Sequence, residues 1–170
     1  DGTQRSIGNA ARREDARLMP NGIALLRDGS LLVANLAEEG GVWRLWPDGR
    51  CEPWLTEVGG WRLPAVNFVW LDAQERVWMT VMFRSHPGAG RHRFRADLGD
   101  GCVLLADGVE QPGGARVVAE GLFTPNECRI TGDGRALETV DLAAIVASVV
   151  DLYEAVAEDR GVRLAVTTAP

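Results

Sequence analysis

Three asparagines, Asn21, Asn67 and Asn126, set the register of a repeat that decides what this chain folds into. Asn21 opens NGIALLRDGSLLVA, Asn67 opens NFVWLDAQERVWMT and Asn126 opens NECRITGDGRAL. The second residue after each Asn is Ile23, Val69 or Cys128, and the fourth is Leu25, Leu71 or Ile130. Apolar residues two apart share one face of a strand. A turn follows (RDGS, AQER or GDGR), and a second apolar run comes after it in the first two units, so each unit predicts the start of a β-hairpin. The asparagines are 46 and then 59 residues apart. Asp48-Gly49 and Asp107-Gly108 explain the difference, because both Asp residues lie 19 positions before the next Asn. The 13 extra residues therefore sit between Asn67 and Asp107, in a loop around HPGAGRHRFR. A period of 46 falls in the range of about 40–50 of four-stranded propeller blades, not the roughly 33–34 of helical repeats.

The third unit changes character after Leu137. Nineteen of the 20 Gly, seven of the 8 Pro and all six Trp precede Glu138, and residues 138–170 carry a charge of −4 out of −6. This divides the chain into a partial propeller at 1–137 and a second region at 138–170. In the latter, Leu142, Ile145, Val146, Val149, Tyr153 and Val156 follow a helical spacing, with Asp141 as N-cap and Gly161 as C-terminal stop. Val162 to Val166 then alternate as a short strand. The expected fold is mainly β, an incomplete propeller of about two and a half of six blades, with a C-terminal α-helix and short strand. Six blades at this period need about 280 residues, so the chain reads as a fragment.

Composition narrows the function classes. All 18 basic residues are Arg and the net charge is −6, which argues against a nucleic-acid binder. No apolar run reaches the ~20 residues of a membrane span and no signal peptide opens the chain. Cys51, Cys102 and Cys128 form no CxxC pair, so they read as reduced buried thiols of a cytoplasmic protein.

Residues 19–137 resemble the senescence-marker/gluconolactonase family of six-bladed propellers, through MPNGIALLRDGSLLVAN, VNFVWLDAQERVWMTVM and GLFTPNECRITGDGRAL in that order. The resemblance implies hydrolysis of a lactone or sugar-acid ester by one divalent metal, often Ca²⁺, in the central channel. It implies Asn126 as a metal ligand and Asn67 as a channel residue near the substrate, with Asn21 at the equivalent position one blade earlier. The family's first-blade Glu and later-blade Asp ligands have no counterpart in this sequence. A hard cation wants six or more oxygen ligands, so the expectation is a chain without efficient turnover.

Residues 138–170 resemble the segment of sensor histidine kinases that links the dimerisation helices to the ATP-binding domain, through VDL, DLYE and the AEDRGVRL stretch. None of the kinase's working motifs is present. The alternative function is thus a non-catalytic interaction or sensory piece, or a chimera of the two families. Open blade edges, or the apolar face at 142–156, would promote self-association.

Each candidate residue also has a plainer reading. An Asn beside Gly or Pro is a common turn residue. Arg84 and His86, in the inserted loop with Arg91, His92, Arg93 and Arg95, form either an anionic-substrate rim or a solvated loop. The six Trp read as inter-blade packing rather than a sugar cleft. No GxSxG elbow occurs, and Cys128 sits at a core strand position.

Overall fold

Each Asn-led unit makes an antiparallel meander with apolar side chains on both faces, and such a sheet is buried only by stacking another on it. The computed structural model has this arrangement, and it describes residues 2, 12–13, 16–85, 99–110, 112–131 and 136–141. Two short strands, β1 (Arg12–Arg13) and β2 (Ala16–Arg17), pair with each other. The first blade follows, a meander of β3 (Pro20–Leu25), β4 (Leu31–Asn35), β5 (Val42–Leu45) and β6 (Cys51–Leu55). A small hairpin, β7 (Glu57–Val58) and β8 (Trp61–Arg62), leads onward. The second blade comprises β9 (Val66–Leu71), β10 (Val77–Val81), β11 (Gly101–Ala106) and β12 (Arg116–Leu122). A third begins with the hairpin of β13 (Pro125–Ile130) and β14 (Leu137–Asp141).

The blades are held by two apolar layers. Between the first and second lie Ala24, Leu32, Val42, Val69, Met79 and Leu104, among others. Between the second and the β13–β14 hairpin lie Trp78, Val103, Leu105 and Cys128, with Phe68, Trp70 and Ile130 packed against them. Strand alternation assigns the faces: Val77, Met79 and Val81 of β10 point one way and Trp78 the other. Trp54 also ties the blades together, its indole N–H donating to Val109 O at 2.7 Å. Trp46 departs from the packing expectation, because its ring lies under the Arg50 and Arg44 guanidinium groups at 3.8 and 5.1 Å.

The end of the described chain corrects the sequence reading. Among the described residues there is no α-helix, only a 3₁₀ turn at Pro112–Gly114. Asp141, expected as a helix N-cap, is the last residue of β14, where Leu137, Glu138, Thr139 and Asp141 pair with Ile130, Arg129, Cys128 and Pro125. The reason is local. β-Branched Thr139 and Val140 favour extended backbone, and the open edge of β13 supplies hydrogen-bond partners. The composition change at 137/138 falls inside this strand. The helical spacing at 142–156, the strand at 162–166 and most of the kinase-like stretch lie outside the described residues.

Candidate functional site

Three inner strands, β3, β9 and β13, carry the three asparagines, and each breaks its ladder at the Asn. In β9, Val66 faces Val81 and Phe68 faces Thr80, so Asn67 is the extra residue of a β-bulge. In β3, Pro20 faces Asn35 and Ile23 faces Val33, leaving Asn21 and Gly22 opposite Ala34 alone. In β13, Pro125 faces Asp141 and Cys128 faces Thr139, leaving Asn126 and Glu127 opposite Val140. The same defect recurs at the same place in three blades. It frees each Asn side chain from the alternation of its strand.

The three amides meet in a row. Asn21 Nδ2 donates to Asn67 Oδ1 at 2.6 Å and to Asn67 O at 2.8 Å. Asn67 Nδ2 donates in turn to Asn126 Oδ1 at 2.6 Å and to Asn126 O at 3.2 Å. Main-chain carbonyls only accept, so they fix which way round the Asn21 and Asn67 amides sit. Asn67 is 5% exposed and lies between two exposed neighbours. Blade packing makes the row possible: a Cβ on Gly22 would stand 2.7 Å from Phe68 Cα, so only glycine lets β3 approach β9 this closely.

Thr80 and Asn35 complete the frame, and the sequence reading named neither. Thr80, fully buried, donates its hydroxyl to Asn126 O at 2.7 Å. Its signal was a polar residue in an otherwise apolar strand, 46 positions before Asn126. Asn35, also fully buried, accepts from Met19 N and Ala37 N and donates to Gly40 O. This fixes the entry to β3.

Arg84 stands apart from the row. Its guanidinium donates to Glu120 Oε2 at 2.9 Å and lies 4.8 Å from the Trp61 ring centre. With Glu38, Glu39, Arg62, Leu63, Pro64 and Ser85 it lines a cleft of about 450 Å³ that includes none of the three asparagines. His86 lies outside the described residues. Glu127 and Asn126 are both exposed, since the bulge cancels the alternation expected between them. The Glu127 carboxylate lies 3.7 Å from Arg129 Nη2.

The ionisable groups offer no activated nucleophile among the described residues. Cys51, Cys102 and Cys128 are free and buried. Burial pushes the Cys102 thiol up to about 12 and the Cys128 thiol up to about 11, which keeps both protonated and unreactive. For the cation that the family resemblance implies, the described residues supply the Asn126 amide oxygen, which already accepts from Asn67. No group of three or more His, Cys, Asp and Glu that could hold a metal occurs among them. These residues do not fit a hard divalent cation, which needs carboxylate charge and six or more oxygens. Among the described residues, no helix is long and apolar enough to cross a membrane.

No family model matches the sequence, and no curated protein matches it. Solved structures do. A gluconolactonase from Xanthomonas campestris, described as important in glucose secondary metabolic pathways, superposes with a TM-score of 0.58 at 18% identity, over 75% of this chain and 42% of that one. A structural-genomics target described as a gluconolactonase candidate gives 0.56 at 19% identity, over 74% and 42%. The chain spans about two fifths of the length of these proteins. At this identity the likeness is one of fold: the stacked blades are those of a gluconolactonase-like β-propeller.

Proposed function

We propose that the Asn21–Asn67–Asn126 row is the substrate-facing wall of a channel for a sugar lactone or sugar-acid ester, in a propeller of the lactonase kind. The observation that carries this reading is the row itself: three inner strands, each bulged at its Asn, aligning three amides through direct hydrogen bonds. Bulges that re-aim a side chain cluster at active sites, and the gluconolactonase-like fold supports the choice of ligand. Asn21 and Asn126, both exposed, touch the ligand; Asn67, held at both ends, is a positioning residue.

Lactone hydrolysis needs a group that activates water or polarises the carbonyl, and the wall alone provides neither. The chain therefore binds without efficient turnover. Calorimetry with a sugar δ-lactam, a carbonyl analogue that resists hydrolysis, tests the binding. Millimolar or tighter affinity, weakened at least fivefold by Asn67→Ala in a chain that still melts cooperatively, is the expected result. A folded chain that ignores the lactam at 20 mM overturns the reading. Calcium-dependent lactone hydrolysis in a pH-stat at about 1 s⁻¹ or faster overturns the absence of turnover.

A further inference from the structure

The amide row has a direction. Asn21 Nδ2 is turned to the main-chain oxygen of Asn67, and Asn67 Nδ2 to the main-chain oxygen of Asn126, so neither amide can be reversed without setting oxygen against oxygen. Asn67 Nδ2 then requires an acceptor opposite it, 2.6 Å away, and that atom is Asn126 Oδ1. What remains open follows from this order. At one end Asn126 Nδ2 has no acceptor among the described residues, and at the other Asn21 Oδ1 has no donor among them. One end of the row gives hydrogen bonds and the other takes them.

We infer that Asn126 recognises its ligand through its N–H groups, as a donor to a carbonyl or carboxylate oxygen, with Asn21 Oδ1 receiving a hydroxyl of the same molecule. This rests on the channel-wall reading and fixes the polarity of its ligand contacts: a carbonyl or carboxylate oxygen at Asn126 and a hydroxyl at Asn21. Such a ligand binds without a metal, because the open atoms of the row are the N–H donors of Asn126 and the single amide oxygen of Asn21, and no group of three or more His, Cys, Asp and Glu that could hold a cation occurs among the described residues. Two donors on a neutral amide suit a carboxylate and a neutral carbonyl alike. The row thus holds the acid that lactone opening produces as well as the lactone.

The experiment uses the full chain, isotope-labelled for ¹H–¹⁵N spectra, in EDTA, with the probes D-gluconate, the sugar δ-lactam and calcium chloride. Gluconate and lactam are expected to bind in EDTA and to move the Asn126 side-chain NH₂ resonances most. Asn126→Asp keeps an acceptor for Asn67 but exchanges the open donor for a carboxylate oxygen; it is expected to weaken gluconate at least tenfold. Gluconate binding that appears only with calcium overturns the donor assignment and leaves the channel wall standing. Unmoved Asn126 resonances during binding, or an N126D chain that binds gluconate as tightly as the parent, do the same. If neither gluconate nor the lactam binds, the channel wall fails and this inference with it. The resonance shifts of the parent chain decide the matter even if the variant does not fold.

Discussion

The first and second blades are built on one meander, yet they are stabilised differently. Ile23 and Val69 hold the same place after their asparagines; Ile23 is 54% exposed and Val69 1%. Cys128, the third member of the set, is also 1% exposed. Val69 lies in the layer shared with blade one and Cys128 in the layer shared with blade two, whereas Ile23 lies in neither. The β3–β4 and β9–β10 turns contrast in the same way. In the second blade the Asp72 carboxylate, 5% exposed, accepts from Trp78 Nε1, Arg76 Nε and the main-chain N–H groups of Gln74 and Arg76. In the first, Asp28, 48% exposed, accepts from Ser30 and Arg44. In a stacked repeat, burial belongs to a position in the row more than to the repeat's own sequence.

The largest test of this contrast is at the turns. Asp72→Ala strips four hydrogen bonds and strands the Trp78 N–H, and is expected to cost about 3 kcal/mol. Asp28→Ala should shift the denaturation midpoint much less, and equal shifts would break the comparison. Next comes the inner strand: Val69→Ala should cost about 2 kcal/mol through lost burial and a small cavity. Ile23→Ala should stay within about 0.5 kcal/mol. A loss at Ile23 as large as at Val69 would show that the face of β3 is covered in solution.

The smallest effect concerns the two thiols around the second blade. Cys102 and Cys128 titrate near 12 and 11 in the folded chain because burial disfavours the thiolate, against 9.0 when unfolded. Their contribution is complete below pH 9. As pH rises past that point the unfolded chain releases protons that the folded chain keeps, so stability falls until pH 11–12. At pH 9 the loss is about 0.4 kcal/mol per thiol. Urea midpoints between pH 8 and 9 should decline slightly, and Cys128→Ala should flatten the decline.

Much of this was legible in the sequence because it depends on side-chain type and spacing. The asparagine register, the turns at Asp28-Gly29 and Asp48-Gly49, and the apolar alternation through Val69 and Leu71 all follow from a period of two within a period of 46. The bulges at Asn21, Asn67 and Asn126 were not legible. A two-against-one pairing is a property of the backbone of two strands, and no residue type enforces it. The direction of the amide row was hidden for the same reason, since it depends on which main-chain carbonyl lies opposite each Nδ2. At Leu137–Asp141 the sequence reading ended the blade pattern, whereas the open edge of β13 extends it to Asp141.

A residue that sits outside the ladder takes no part in the main-chain pairing behind it. Val66 and Phe68 pair with β10 on either side of Asn67, so the ladder does not run through it. Behind them, the apolar layer through Val69 and Met79 is set by residues on the regular part of the same strands. The bulges therefore separate the molecule's chemistry from its architecture. In the proposed channel, ligand preference is set at these three positions, while the blades stack through others.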